Sequence, residues 1–150
     1  GMADPGLQVM PTHRLVSDVG SISHTDLQEK LSPYFDVEVV GEGEAAGLKT
    51  WDRVVASGQQ GAIGLYAAST GKWVFVTLRD QKAMNDVVPD RSDVYRSLGV
   101  SILHRLILEK CLGAPGARCR YVHLTSEVFD AVKDKSCELA CLVQPATVDH

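Results

Sequence analysis

Four side chains in this sequence have the chemistry to bind an anion or to exchange a proton. Thr12, His13 and Arg14 are consecutive in the segment PTHRLV, and His104 lies in a later helical segment. An arginine offers two parallel N–H donors to a phosphate or carboxylate, and a histidine titrates near neutral pH. We therefore predict an anion-binding cluster of Thr12, His13 and Arg14, with His104 as a further member. The alternative interpretation is an exposed strand end whose polar groups complete a turn.

Other combinations of polar residues are less suited to a site. Residues 41 to 47, GEGEAAG, include two glutamates that would repel a phosphate, so this segment is interpreted as a turn. Cys119 and His123, like Cys137 and Cys141, are four positions apart, which in a strand separates the two members by about 13 Å. Such pairs favour buried thiols over a metal site, and neither HExxH nor a nucleophile elbow is present.

The composition indicates one domain in a reducing compartment. The chain has 150 residues, 45% of them hydrophobic, which is enough for a single buried core. With a formal net charge of −4 and 15 scattered Lys and Arg residues, it lacks the basic stripe typical of nucleic-acid binding. Three of the four cysteines lie beside strand-like residues, which favours the cytoplasm over a disulfide framework. No apolar run approaches the roughly 20 residues needed to cross a bilayer, so neither a membrane nor a nucleic acid is an expected partner.

The ends of the sequence suggest a piece of something longer. Gly1 precedes Met2, as in the remnant of a cleaved expression tag, and we exclude it from fold reasoning. Residues 2 to 8 carry an Asp-Pro-Gly turn signal with no feature typical of a natural start, and the last five residues are polar. We therefore expect residues 1 to 150 to be one domain that forms the C-terminal part of a longer protein.

Changes in hydrophobic period predict the elements that must position these residues. The segment with Pro11 reads as an irregular strand confined to an edge or a bulge, since proline cannot donate to a ladder. Ser23 and Asp26 form a capping box that starts a helix, and Ser69-Thr70-Gly71 joins two strands in a hairpin. We predict strands at residues 8–16, 35–40, 62–68, 72–79, 118–124 and 137–145, and helices from Ser23 and at residues 44–58, 92–112 and 125–136, with a loop or short helix between residues 80 and 92.

The fold class that follows is α/β or α+β. We predict a mixed β-sheet with a central antiparallel hairpin, helices packed on it, and a C-terminal βαβ-like unit that contains a parallel pair.

In the helix at residues 44–58, Leu48, Trp51 and Val55 share one face at helical spacing. His104 and Arg105 are neighbours about 100° apart on their helix and cannot easily face one ligand.

Three segments carry a resemblance to a known family. MADPGLQVMPTHRLV, SLGVSILHRLILEKCLG and CELACLVQPATV together resemble the C-terminal half of the bacterial and archaeal family called domain of unknown function 1015. The sequence lacks the DGHHR-type segment that family members carry upstream and the Lys-Ser-Thr stretch that they carry downstream. The resemblance therefore implies a fragment without the part for which a catalytic analogy is best argued. The upstream segment is similar to the nucleotide-handling motif of ParB-like and serine kinase proteins. Some members of the family are labelled ParB-like or SpoOJ-like, so the resemblance also implies, as an alternative function, a part of a ParB-like partition protein.

Two functions are compatible with these residues. In the first, the whole protein is a small-molecule phosphotransferase or another nucleotide-using enzyme, and this part, inactive alone, contributes Thr12, His13, Arg14 and His104 to a phosphate pocket at the junction with its missing N-terminal part. In the second, this is a non-catalytic module that packs on its neighbour or on a second copy through the hairpin or the long helix, since an unpaired strand edge invites partners. A nucleotide cofactor and a small anionic ligand are expected only for the first.

Overall fold

The computed structural model describes residues 12–146, which form one antiparallel sheet of six strands with helices on both faces. The strand order is β2-β4-β3-β6-β1-β5. The strands are β1 (His13–Ser17), β2 (Phe35–Glu42), β3 (Ala62–Ala67), β4 (Lys72–Leu78), β5 (Arg118–Val122) and β6 (Leu139–Val143). The helices are α1 (His24–Leu31), α2 (Gly43–Ser57), α3 (Lys82–Val87), α4 (Asp93–Ser97), α5 (Gly99–Ser101), which continues as a π-helix (Ile102–Cys111), and α6 (Thr125–Asp134).

The predicted combination of a sheet with packed helices is confirmed, and β3 and β4 form the expected central hairpin. All five ladders are antiparallel. The parallel pair predicted within the C-terminal βαβ-like unit is not formed. Strands β5 and β6 run in the same direction on either side of α6, but β1 lies between them and pairs with both.

Of the two positions predicted for the first strand, an edge or a bulge at Pro11, the edge is wrong, because β1 is an inner strand. His13 to Ser17 pair with β5 on one side, and Arg14 to Val16 pair with β6 on the other. Pro11, on which the prediction rested, lies outside the described residues. The ladder begins at His13, so every strand residue that must donate a hydrogen bond can do so.

Strand alternation divides the core into two layers. On one side of the sheet, Val16 packs with residues of α1, α3 and the π-helix; we call this the π-helix face. On the other side, Leu15 packs with Phe129 of α6 and Trp73 of β4, with Trp51 of α2 at the margin; we call this the α2–α6 face. Successive residues of β1 therefore enter different layers.

Two helices differ from their predicted form. The helix predicted at residues 92–112 is interrupted at Leu98, whose backbone is extended while the Gly99 N–H donates to Oε1 of Gln60 at 2.8 Å. Beyond Ser101 the hydrogen bonds span five residues, as in the 2.9 Å bond from the Leu112 N–H to the Ile107 carbonyl. The sequence pattern does not distinguish this π-helix from an α-helix.

The shared face of Leu48, Trp51 and Val55 in α2 does not enter the core. Leu48 and Val55 are exposed, and Trp51 is half-buried, whereas Gly47 and Val54 are buried against the sheet. Gly47 lies so close to Phe129 and Trp73 that an added Cβ would be within 3 Å of both rings. Because the side of α2 with Gly47 packs closely on the sheet, the side with Leu48 and Val55 faces solvent. The cap at Ser23 is confirmed, with Ser23 Oγ accepting from the Asp26 N–H at 3.0 Å and Asp26 accepting in return.

Within residues 12–146 no helix is both long and apolar enough to span a membrane. All four cysteines are free thiols, two of them buried. No group of three His, Cys, Asp or Glu side chains in this part of the chain is placed to hold a metal ion.

Candidate anion-binding site

The structure brings Arg14 and His104 together on the π-helix face. Nε of Arg14 donates to Nε2 of His104 at 3.2 Å, although the two residues are 90 positions apart. Nη1 of Arg14 donates to the carbonyl oxygen of Thr12, which is half-buried. Because Nε2 of His104 accepts this bond, the proton of its neutral ring is on Nδ1. Thr12, Arg14 and His104 therefore form one connected cluster.

The neighbouring strands place two further residues beside Arg14. Tyr121 of β5 and Cys141 of β6 lie directly opposite Arg14 in the two ladders. The guanidinium stacks over the Tyr121 ring, 4.6 Å from its centroid, in a cation–π contact. Only 8% of Arg14 is exposed, whereas Tyr121, whose ring covers the guanidinium, is 57% exposed.

The charge of Arg14 is not neutralised by a carboxylate within residues 12–146, since the ion pairs in this part of the chain involve other cations. Burial lowers the pKa of Arg14, yet a guanidinium remains protonated at any ordinary pH. Burial of His104 lowers its own pKa, and the charge of Arg14 lowers that pKa further. The cluster thus carries one buried positive charge beside a neutral imidazole.

His13 lies on the α2–α6 face and does not join this cluster. Its Nδ1 accepts the Val143 N–H at 3.1 Å, and its ring meets Trp51 edge-on at 4.7 Å between centroids. The proton is therefore on Nε2, which is buried and has no hydrogen-bond partner in the part of the chain that is described. Burial, then the charges of Arg14 and His123, lower the pKa of His13 to about 4, so it is neutral at physiological pH.

The burial of His13 and Arg14, at 0% and 8% exposure, excludes the alternative interpretation of this segment as an exposed strand end. His13 completes the end of the β1–β6 ladder by accepting a backbone N–H, which is a structural role. Arg105, the neighbour of His104, turns away to Glu109 and Tyr95, as the angle between adjacent helical residues predicted.

Two members of the site, Tyr121 and Cys141, were not identified from the sequence. They are recognised only once the register of β5 and β6 against β1 is known. Cys119, a diagonal neighbour opposite Val16, also lies close enough for the charge of Arg14 to act on its thiol, although burial dominates and raises its pKa. Burial also raises the pKa of Cys141 well above its ordinary value, so neither thiol is an activated nucleophile.

Residues 1–101 match the family model described as protein of unknown function, DUF1015. The chain belongs to this family. The match includes Thr12, His13 and Arg14 and ends before His104. No curated protein and no solved structure matches the chain.

Proposed function

We propose that this DUF1015 chain supplies an anion-binding site to a small-molecule phosphotransferase or another nucleotide-using enzyme, and that it is inactive alone. The observation that carries the proposal is the buried guanidinium of Arg14, which has neutral acceptors but no carboxylate partner within residues 12–146. A buried charge without a counter-charge is costly, and a bound anion would supply that counter-charge.

The chemistry of the cluster favours a phosphate or carboxylate as that ligand. An arginine binds either group by charge-assisted hydrogen bonds, which are roughly twice as strong as neutral ones. His104 and the Thr12 carbonyl hold Nε and Nη1, and Tyr121 fixes the plane of the guanidinium from one side. We assign Arg14 as the anion ligand, His104 and Thr12 as positioning residues, and His13 as the residue that secures the strand carrying them.

The position of the cluster also supports a site shared with other parts of the protein. Thr12 directly precedes β1, and β6 ends at Val143, whose N–H binds His13 at this same end of the sheet. Thr12 is thus two residues before Arg14 at the start of the described fold. We infer that catalytic groups from the rest of the whole protein complete this site, which is why the chain alone is proposed to be inactive.

A non-catalytic packing module is the second candidate, and one observation favours it. Leu48 and Val55 are exposed on one face of α2, a surface suited to contact with another domain or copy. The hairpin is less suited to this role than expected, since β3 pairs with β6 and β4 pairs with β2, which leaves the hairpin no free edge.

Thermal unfolding with added ligands tests the anion site. The ligands are inorganic phosphate, ADP, ATP, serine and phosphoserine, where serine against phosphoserine separates carboxylate from phosphate binding. Binding to the native state alone raises Tm, and a ligand at 100 times its Kd contributes about 2.7 kcal/mol. The variant is Arg14→Gln, and the control is Arg118→Gln. Arg118 is 82% exposed and lies at the start of β5, opposite Ser17 of β1.

We expect a phosphate-dependent rise in Tm for the unaltered protein and for Arg118→Gln, and none for Arg14→Gln. An equal rise in all three proteins would place the anion elsewhere and remove the basis of the proposed function. The absence of any rise, with the fold intact by circular dichroism, would favour the packing module.

A further inference from the structure

A pocket on the α2–α6 face lies on the opposite face of the sheet from Arg14 and belongs to neither proposed function. Its walls are largely apolar and come from three rings and one aliphatic side chain: Tyr66, Trp73, Phe129 and Val132. The pocket has a volume of about 270 Å³. An apolar cavity of about 150 Å³ is large enough to bind benzene, so this pocket holds a single aromatic ring with room for a short substituent.

The aromatic walls are mutually supported. The rings of Tyr66 and Trp73 are 4.9 Å apart between centroids, and Trp73 meets Phe129 in a T-shaped contact at 6.0 Å. Trp73 and Phe129 are buried, at 1% and 5% exposure, and so are fixed by the core behind them. A pocket with rigid aromatic walls binds a planar ring with little ordering cost.

Two opposite charges lie beside these walls. Glu44, in the first turn of α2, and Lys133, near the end of α6, are exposed and line the same pocket. Neither forms an ion pair with another side chain of residues 12–146. A ligand whose ring enters the pocket would therefore meet one free carboxylate and one free ammonium at its polar end.

We propose that this pocket binds a free amino acid with an aromatic side chain. The ring lies in the pocket against Tyr66, Trp73 and Phe129, the α-ammonium pairs with Glu44, and the α-carboxylate pairs with Lys133. A zwitterion is the ligand class that complements an apolar slot flanked by one acid and one base. A purely apolar ligand would leave both charges unused, and a simple aromatic acid would leave Glu44 without a partner and repel it.

L-Phenylalanine is the probe, with L-phenylalaninamide, which lacks the carboxylate, and 3-phenylpropionate, which lacks the ammonium group, as comparison ligands. Binding is measured by titration calorimetry and by NMR of the two indole N–H signals. The chain has two tryptophans, and Trp51, packed on His13 and absent from the pocket lining, is the internal control for Trp73.

The surface variants are Lys133→Ala and Glu44→Gln, with Lys49→Ala and Glu29→Gln as exposed controls on α2 and α1 that do not line the pocket. We expect L-phenylalanine to shift the Trp73 signal, not that of Trp51, and to bind more tightly than either comparison ligand. Lys133→Ala and Glu44→Gln should each raise its Kd about threefold, the order expected for one exposed ion pair. The two controls should leave Kd unchanged.

Val132→Phe fills the pocket and should abolish binding, while Arg14→Gln should have no effect on it, so the outcome is independent of the proposed anion site. No binding of L-phenylalanine, or binding that Val132→Phe leaves intact in a folded protein, would overturn the proposal. Equal affinity for L-phenylalanine and 3-phenylpropionate would also overturn it, because the acid Glu44 would then have no role.

Discussion

The buried neutral histidine in β1 makes the stability of the fold depend on pH in a predictable way. The pKa of His13 is lowered from 6.5 to about 4, chiefly by burial. Between these two pH values the unfolded chain binds a proton that the native state does not. The contribution of His13 to stability is therefore complete above pH 6.5 and is lost as the pH falls toward 4. A pKa difference of this size corresponds to about 3 kcal/mol.

Urea unfolding between pH 7.5 and 4 measures this loss, and His13→Asn is the informative variant. Asparagine places an acceptor oxygen near the position of Nδ1, so it can still receive the Val143 N–H, but it does not titrate. The loss in unfolding free energy on going from pH 6.5 to 4 should be smaller in His13→Asn by about 3 kcal/mol. His24→Asn, at a half-exposed histidine that contacts Thr70, is the control and should follow the unaltered protein. Parallel pH profiles for His13→Asn and the unaltered protein would refute the assignment of His13 as a buried neutral group.

Three further substitutions or modifications have defined outcomes. Arg14→Met should raise the free energy of unfolding by about 1–2 kcal/mol in the absence of ligand, because an apolar side chain replaces a buried charge without a carboxylate partner; urea unfolding would show a decrease instead if the arginine were structural. Gly64→Ala should lower the free energy of unfolding by about 1–3 kcal/mol in the same urea assay, because the added Cβ would lie 2.7 Å from Cγ2 of Thr50. Buried Cys141, whose pKa burial raises, should react with a disulfide reagent only in denaturant, and rapid labelling in native buffer would contradict its burial.

Local sequence signals predict the elements that are closed by short-range interactions. The Ser23–Asp26 capping box and the hairpin around Ser69-Thr70-Gly71 are both present, because each depends on residues that are near one another in sequence. The break at Leu98 could not be predicted in this way. It is stabilised by Gln60, 39 positions from Gly99.

The candidate site also depends on contacts between residues that are far apart in sequence, which sequence signals do not predict. The sequence identifies Arg14 and His104 as residue types suited to an anion, but not that Arg14 lies in an inner strand or that the π-helix places His104 against it. It also groups His13 with Arg14, although strand alternation sends them to opposite layers. Only the position of β1 between β5 and β6 decides which neighbours each side chain meets.

The electrostatics of the cluster connect anion binding to protonation. His104 is kept neutral by burial and, second, by the positive charge of Arg14, both of which lower its pKa. An anion bound to Arg14 would offset the second cause and so raise the pKa of His104. Protonation of His104 would in turn remove the acceptor that holds Nε of Arg14 and add a second cation beside the ligand. If an anion binds Arg14 as proposed, we expect it to bind more tightly as the pH falls, because protonated His104 would add a second positive charge beside it.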